Sequence, residues 1–195
     1  MKMTRMEKQF VNRKKKSERN IEKLELALEY IDMEKIKTVL EIGCGIGFVS
    51  HYLAEKYNFT VYGTDYDDEQ IQIARNMQPK INRLSFQVED AAKLSFGDLS
   101  VDLVLSQNVF HHIPNWGNAV QEIARVLSPG GYLVWLDLTF PGIVKNIFLP
   151  LVRNYGLYTV QDIEKAFETH KFKKLYHERT VHGPFSQHHF VLQHD

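Results

Sequence analysis

From residue 38 onward, short apolar runs alternate with longer stretches in which apolar residues recur every three or four positions. Thr38-Val39-Leu40-Glu41-Ile42 predicts a buried strand. Residues 46–57 predict a helix, Phe59–Thr64 a strand and Asp67–Met77 a second helix. Residues 83–88 and Val101–Ser106 predict further strands, the latter buried on both faces. Trp116–Leu127 predicts a helix with Val120, Ile123, Ala124 and Leu127 on one side. Ser128-Pro129-Gly130-Gly131 then predicts a turn into the strand Tyr132–Leu138. Strands alternating with helices of this length imply a parallel sheet with right-handed crossovers.

The two ends follow other patterns. Ser17, with Glu18 in the first turn, predicts a helix start, and Ile21, Leu24, Leu28 and Ile31 give it an apolar face of about four turns. Near the other end, Thr159 and Asp162 have the spacing of a capping box, with Val160, Ile163 and Phe167 on one helix face. Phe172–Val181 and Ser186–Gln193 are strand candidates joined by His182-Gly183-Pro184-Phe185. So short a connection requires an antiparallel hairpin. The chain divides at residue 37 into a basic arm with an amphipathic helix, 1–37, and an α/β domain, 38–195.

Composition removes whole classes. The chain has 195 residues, 44% hydrophobic and 25% charged, as expected for one globular domain. Lys plus Arg equals Asp plus Glu at 24 each, which argues against a generally basic nucleic-acid binder. One cysteine excludes an intrachain disulfide framework. No run of 18 apolar residues predicts a spanning helix, and the polar start leaves a cytoplasmic location as the expectation. The charge is uneven: residues 1–19 hold eight Lys/Arg against two Glu, densest at Arg13-Lys14-Lys15-Lys16. A solvated arm is the expectation there, with attraction to phosphate as its rival.

The segment Val39–Phe48 carries the most chemistry. A buried strand leads into Gly43, Gly45 and Gly47 at alternating positions, then a helix. Glycine there lets a ligand approach the main chain, and the N–H groups opening the helix favour an anionic group. Asp65 lies 22 residues beyond Gly43 at the end of the second strand, where an acid can accept hydrogen bonds from both ribose hydroxyls. Dinucleotide sites place a small residue where this chain has Phe48, which disfavours a pyrophosphate and an NAD-linked oxidoreductase.

Taken together, Glu41–Gly47, Tyr62-Gly63-Thr64-Asp65-Tyr66, Glu89-Asp90-Ala91, Val101–Ile113 and Leu127–Gly131 resemble the class I S-adenosylmethionine-dependent methyltransferases, in particular those acting on small molecules. The resemblance covers residues 38–138. It implies a Rossmann-like, doubly wound seven-stranded sheet, mostly parallel with an antiparallel C-terminal hairpin strand. It also implies S-adenosyl-L-methionine as cofactor and S-adenosyl-L-homocysteine as product. By the same resemblance the cofactor is bound by Glu41, Gly43, Cys44, Gly45, Asp65, Tyr66, Asp90, Ala91, Gln107 and Asn108. Glu41 would attract the methionine ammonium, and Cys44 would pack beneath the cofactor rather than act as a nucleophile. Asp90 has a rival reading as a helix N-cap.

Methyl transfer needs in-line attack on an activated carbon, so positioning supplies much of the acceleration. His111 and Asp137, beyond the fourth and near the end of the fifth strand, are the candidates for catalysis, with His112 less favoured. The acceptor is expected to be a small, apolar or aromatic molecule. Residues 139–158, rich in Phe, Ile, Leu and Val, lie where an acceptor lid is expected. An RNA or protein acceptor recruited by the basic arm is one alternative, and a non-catalytic cofactor-binding protein another. Six of the nine histidines fall in residues 170–195. His188 and His189 should point to opposite faces of a strand, so a metal site is not expected and these histidines should be exposed or at an edge.

Overall fold

The computed structural model describes residues 14–77, 79–148 and 155–195. Seven strands form one sheet: β1 Thr38–Ile42, β2 Thr60–Asp65, β3 Leu84–Val88, β4 Val101–Gln107, β5 Leu127–Thr139, β6 Phe172–His182 and β7 Phe185–His194. Their order is β3-β2-β1-β4-β5-β7-β6. The first five pair in parallel, and β7 runs antiparallel between β5 and β6. The fold is therefore the doubly wound α/β sheet with a C-terminal antiparallel hairpin. Strand order reverses at β1 and β4, which opens a crevice at their carboxyl ends.

Among the described residues there are six helices: α1 Lys14–Leu28, α2 Phe48–Lys56, α3 Asp68–Arg75, α4 Trp116–Val126, α5 Gly142–Phe148 and α6 Val160–Thr169. One face carries α4 and α6, packed over Leu133, Trp135 and Phe190. The other carries α1 and α2, whose Leu24, Leu28, Val49 and Leu53 pack on Val39, Leu103 and Leu105. Trp135 sits at the centre of the first core, its ring edge-on to Phe110 and Phe167 at 5.9 Å each. Among the described residues no helix is long and apolar enough to cross a membrane.

Several boundaries differ from the expectations. Helix α1 already includes Lys14, because the lysine run consists of good helix formers and needs no cap at Ser17. It ends at Leu28, and Ile31 is buried in the turn that follows. The Ser128–Gly131 segment is not a turn before the fifth strand. Strand β5 begins at Leu127 and the segment forms an irregularity within it, with Gly130 at φ +77°. The capping box at Thr159 and Asp162 forms in both directions. Of the expected lid, Gly142–Phe148 forms α5, while residues 149–154 lie outside the described residues. So does the basic arm as far as Arg13.

Candidate functional site

The turn after β1 explains the three glycines. Gly43, Gly45 and Gly47 all take left-handed φ, at +71°, +55° and +84°. A Cβ on Gly43 would lie 2.2 Å from the Val109 side chain, so only glycine lets the turn and the loop after β4 approach this closely. Cys44 donates its N–H to the Thr64 carbonyl at 2.8 Å, pinning the turn to β2. The Cys44 thiol is buried, and burial pushes its pKa well up, as expected of a packing residue and not of a reactive thiolate.

Asp65, at the end of β2, ties this turn down. Its Oδ2 accepts the N–H of Gly45 and its Oδ1 the N–H of Asp67, both at 2.9 Å. Burial raises its pKa, and the two backbone hydrogen bonds oppose that rise. Each oxygen keeps lone-pair capacity for a further donor. Glu41, buried on β1, accepts the Ser50 hydroxyl hydrogen from α2. Burial raises its pKa to about 7 despite that bond.

These groups open onto a cavity of about 490 Å³ at the carboxyl ends of β1, β2 and β4. Glu41, Gly43, Cys44, Gly45, Asp65, Tyr66, Asp90, Ala91, Gln107 and Asn108 all line it, so the structure brings every sequence-predicted cofactor residue to one place. Tyr66 is half exposed at its edge. Asp90 does not cap a helix. It begins a tight turn closed by Lys93 N–H to Asp90 O at 2.8 Å, and its carboxylate accepts the N–H of Ala92. Gln107 donates its amide to the Asn20 carbonyl at 3.0 Å, while its Oε1 is buried without a hydrogen-bond partner among the described residues.

His111 and Asp137 are not two separate bases. They form one pair, His111 Nδ1 on Asp137 Oδ1. Asp137 is fully buried and also accepts the N–H groups of Val109, Phe110 and Leu138 at 2.6–2.7 Å, so it holds the loop after β4. His112, the less favoured of the two histidines, is the one lining the cavity. Its ring centre lies 4.1 Å from that of His111 and 5.8 Å from that of Tyr155.

Of the hairpin histidines, His177 lies on the edge strand β6, as expected, but the two in the middle of β7 are neither exposed nor at an edge. His188 and His189 lie on β7, an interior strand, and are 3% and 2% exposed. Burial depresses both to about 4. His188 Nδ1 meets His177 Nε2 at 2.8 Å on one face, and His189 packs on Tyr176 on the other. Among the described residues no group of three His, Cys, Asp or Glu is placed to hold a metal ion.

One wall of the cavity is absent from the sequence-based site. Lys16, Ser17 and Asn20 of α1 line it, and Asn20 also accepts from the Asn108 amide at 3.3 Å. The available signal is that Ser17 and Asn20 extend the apolar stripe of Leu24 and Leu28 toward the helix start, where polar residues on a buried face call for polar partners.

Residues 40–135 match the family described as Methyltransferase domain. The 2-methyl-6-phytyl-1,4-hydroquinone methyltransferase of Synechocystis is 41% identical over 100 residues, 51% of this chain and 31% of that protein. Methyltransferase GfsG of Streptomyces halstedii is 31% identical over 140 residues, 70% of this chain and 50% of its own length. The chain thus spans half or less of these curated relatives. Among solved structures, phosphoethanolamine N-methyltransferase 2 of Haemonchus contortus, in complex with phosphomonomethylethanolamine and S-adenosylhomocysteine, superposes with a TM-score of 0.74 at 18% identity. That match covers 89% of this chain and 52% of that one.

Proposed function

The chain belongs to the class I S-adenosylmethionine-dependent methyltransferases, and on that premise we propose that it methylates a small-molecule acceptor. The observation that carries this reading is the Asp65–Gly45 hydrogen bond: it fixes an acid beside a glycine turn in the wall of one cavity. S-adenosylmethionine, when bound, supplies a methyl group already activated on a sulfonium. The residues fit such a ligand. Asp65 accepts from the ribose hydroxyls, and the turn Gly43–Gly47 presents backbone groups to the methionine end. Glu41, with a pKa near neutrality, gains most from an ammonium beside it. Tyr66, Asp90 and Ala91 border the adenine. Gln107 and Asn108 line the cavity at the end where the methyl group leaves.

The acceptor enters between Asn108, α1 and the loop of His111 and His112. Asp137 holds His111 in one orientation, and of the two histidines it is His112 that lines the cavity where the acceptor enters. The acceptors named for the relatives, a phytyl hydroquinone and a phosphorylated amine, are small molecules and support the coarse class. The arm-recruited macromolecular acceptor is less well supported, since Lys16, part of the basic run, lines the cavity instead of the outer surface.

Calorimetric titration with S-adenosylmethionine, S-adenosylhomocysteine and NADH tests the reading. Binding of the first two and not the third is expected, with turnover of labelled cofactor in a metabolite extract. Preference for NADH would overturn it.

A further inference from the structure

Asn108 follows β4, lines the cavity and joins elements that are far apart in the chain. Its Oδ1 accepts the Gln187 amide N–H from β7 at 2.9 Å, and its Nδ2 donates to Asn20 Oδ1 of α1 at 3.3 Å. Its backbone N–H donates to the Leu136 carbonyl of β5 at 2.6 Å. The backbone here is left-handed, with φ at +61°. Asparagine enters that region more readily than most residues, but the surroundings must still hold it there. β5 lies between β4 and β7, so the contact with Gln187 spans two strand spacings, about 10 Å. Gln187 is absent from the described residues lining the cavity, so any effect it has on a ligand passes through Asn108.

We propose that Gln187 is a positioning residue: through Asn108 it holds the cavity wall at the end where the methyl group leaves. The inference rests on the methyltransferase reading above and adds to it a residue of β7. Two features support it. The Asn108 amide is held at both ends, its oxygen toward β7 and its nitrogen toward α1, so it cannot turn without breaking a bond. The neighbouring Gln107 donates to the Asn20 carbonyl at 3.0 Å, so the end of β4 and this part of α1 are tied at two successive residues. A shift of Asn108 therefore moves both walls together. In-line transfer is sensitive to such a shift, since about 1 Å of misplacement can slow it about a hundredfold. Gln193, on the same face of β7, supplies a contrast. It donates to the Gly130 carbonyl at 3.2 Å, near the start of β5, whereas Gln187 pairs with Leu138 near that strand's end.

The test titrates the full chain with S-adenosylhomocysteine and with adenosine, which lacks the sulfur and the amino-acid end. Gln187→Leu removes the donor at similar size, and Gln187→Asn keeps an amide too short to reach past β5. Both should weaken S-adenosylhomocysteine about three- to tenfold, the order of one neutral hydrogen bond, and leave adenosine within about twofold. Asn108→Gly keeps the left-handed backbone without the amide. In that background Gln187→Leu should change S-adenosylhomocysteine affinity by less than about twofold. Gln193→Leu should leave both affinities within about twofold of the wild type. Unchanged S-adenosylhomocysteine affinity in both Gln187 variants overturns the proposal. So does an equal loss for adenosine, or an equal loss in Gln193→Leu, either of which marks a purely structural role. Effects of Gln187→Leu and Asn108→Gly that simply add overturn the route through Asn108. Failure of the wild-type protein to bind S-adenosylhomocysteine at all is a separate result and strikes the methyltransferase reading itself.

Discussion

Gly45 donates its backbone N–H to the Asp65 carboxylate at 2.9 Å, so one acid both closes the glycine turn and lines the cavity. Asp65→Ala removes a buried acceptor from each. S-adenosylmethionine affinity should fall about tenfold or more, from a loss on the order of 1.5–3 kcal/mol. Calorimetry reads this directly, and an unchanged dissociation constant would remove Asp65 from the binding site.

Glu41 makes both stability and binding depend on pH. In the folded chain its carboxyl keeps a proton up to about pH 7, whereas an ordinary glutamate releases it near 4.5. Folding therefore takes up a proton between those values, and stability falls as pH rises through that window, by on the order of 3 kcal/mol in all. Above about pH 7 the loss is complete. A ligand ammonium favours the ionised carboxylate, so S-adenosylmethionine should bind more tightly at pH 8 than at pH 6. Glu41→Gln should flatten both profiles, as urea unfolding and calorimetry at pH 5, 6, 7 and 8 would report.

Asp137 separates scaffolding from proton transfer. Asp137→Ala leaves buried N–H groups of Val109, Phe110 and Leu138 without an acceptor. At about 1–3 kcal/mol each, the loss should exceed 3 kcal/mol and lower the urea midpoint sharply. His111→Ala leaves those three bonds intact and should cost no more than about 1–2 kcal/mol. Equal midpoints for the two variants would refute the scaffold role.

Gly43→Ala should be poorly tolerated. The left-handed backbone costs about 1–2 kcal/mol for a non-glycine residue, and the contact with Val109 adds about 1–3 kcal/mol. Thermal unfolding should show the loss, and Gly43→Ala with Val109→Ala should recover part of it.

The part of the molecule from β1 to β5 was legible because its signals are local. An apolar run, a glycine turn and an amphipathic stretch each reveal themselves within about a dozen residues, and Asp65 follows from strand spacing. The wall made by α1 was not legible, since Asn20 meets Gln107 and Asn108 across 87 and 88 residues of chain. The pairing of His111 with Asp137 was hidden for the same reason: each had a reason to be near the site, but nothing in the spacing joined them. At Ser128–Gly131 the turn chemistry was read correctly and its setting was not. Leu127 pairs with Val101 and Tyr132 with Leu103, so the same residues that make a turn elsewhere become a detour within one strand.

β7 lies between β5 and β6, so the strand furthest along this sheet's sequence occupies an interior place in it. During synthesis, β1 to β5 and the helices between them emerge first. Trp135 then has no Phe190 beside it, and β5 keeps one side of its backbone unpaired. The loop after β4 is also held from β7, where Gln187 donates to Asn108 Oδ1 at 2.9 Å, so the cavity wall there is completed only after Phe185–His194 has been made and inserted. Until then the nascent chain carries an open, apolar strand edge, the stage at which it is most exposed to aggregation.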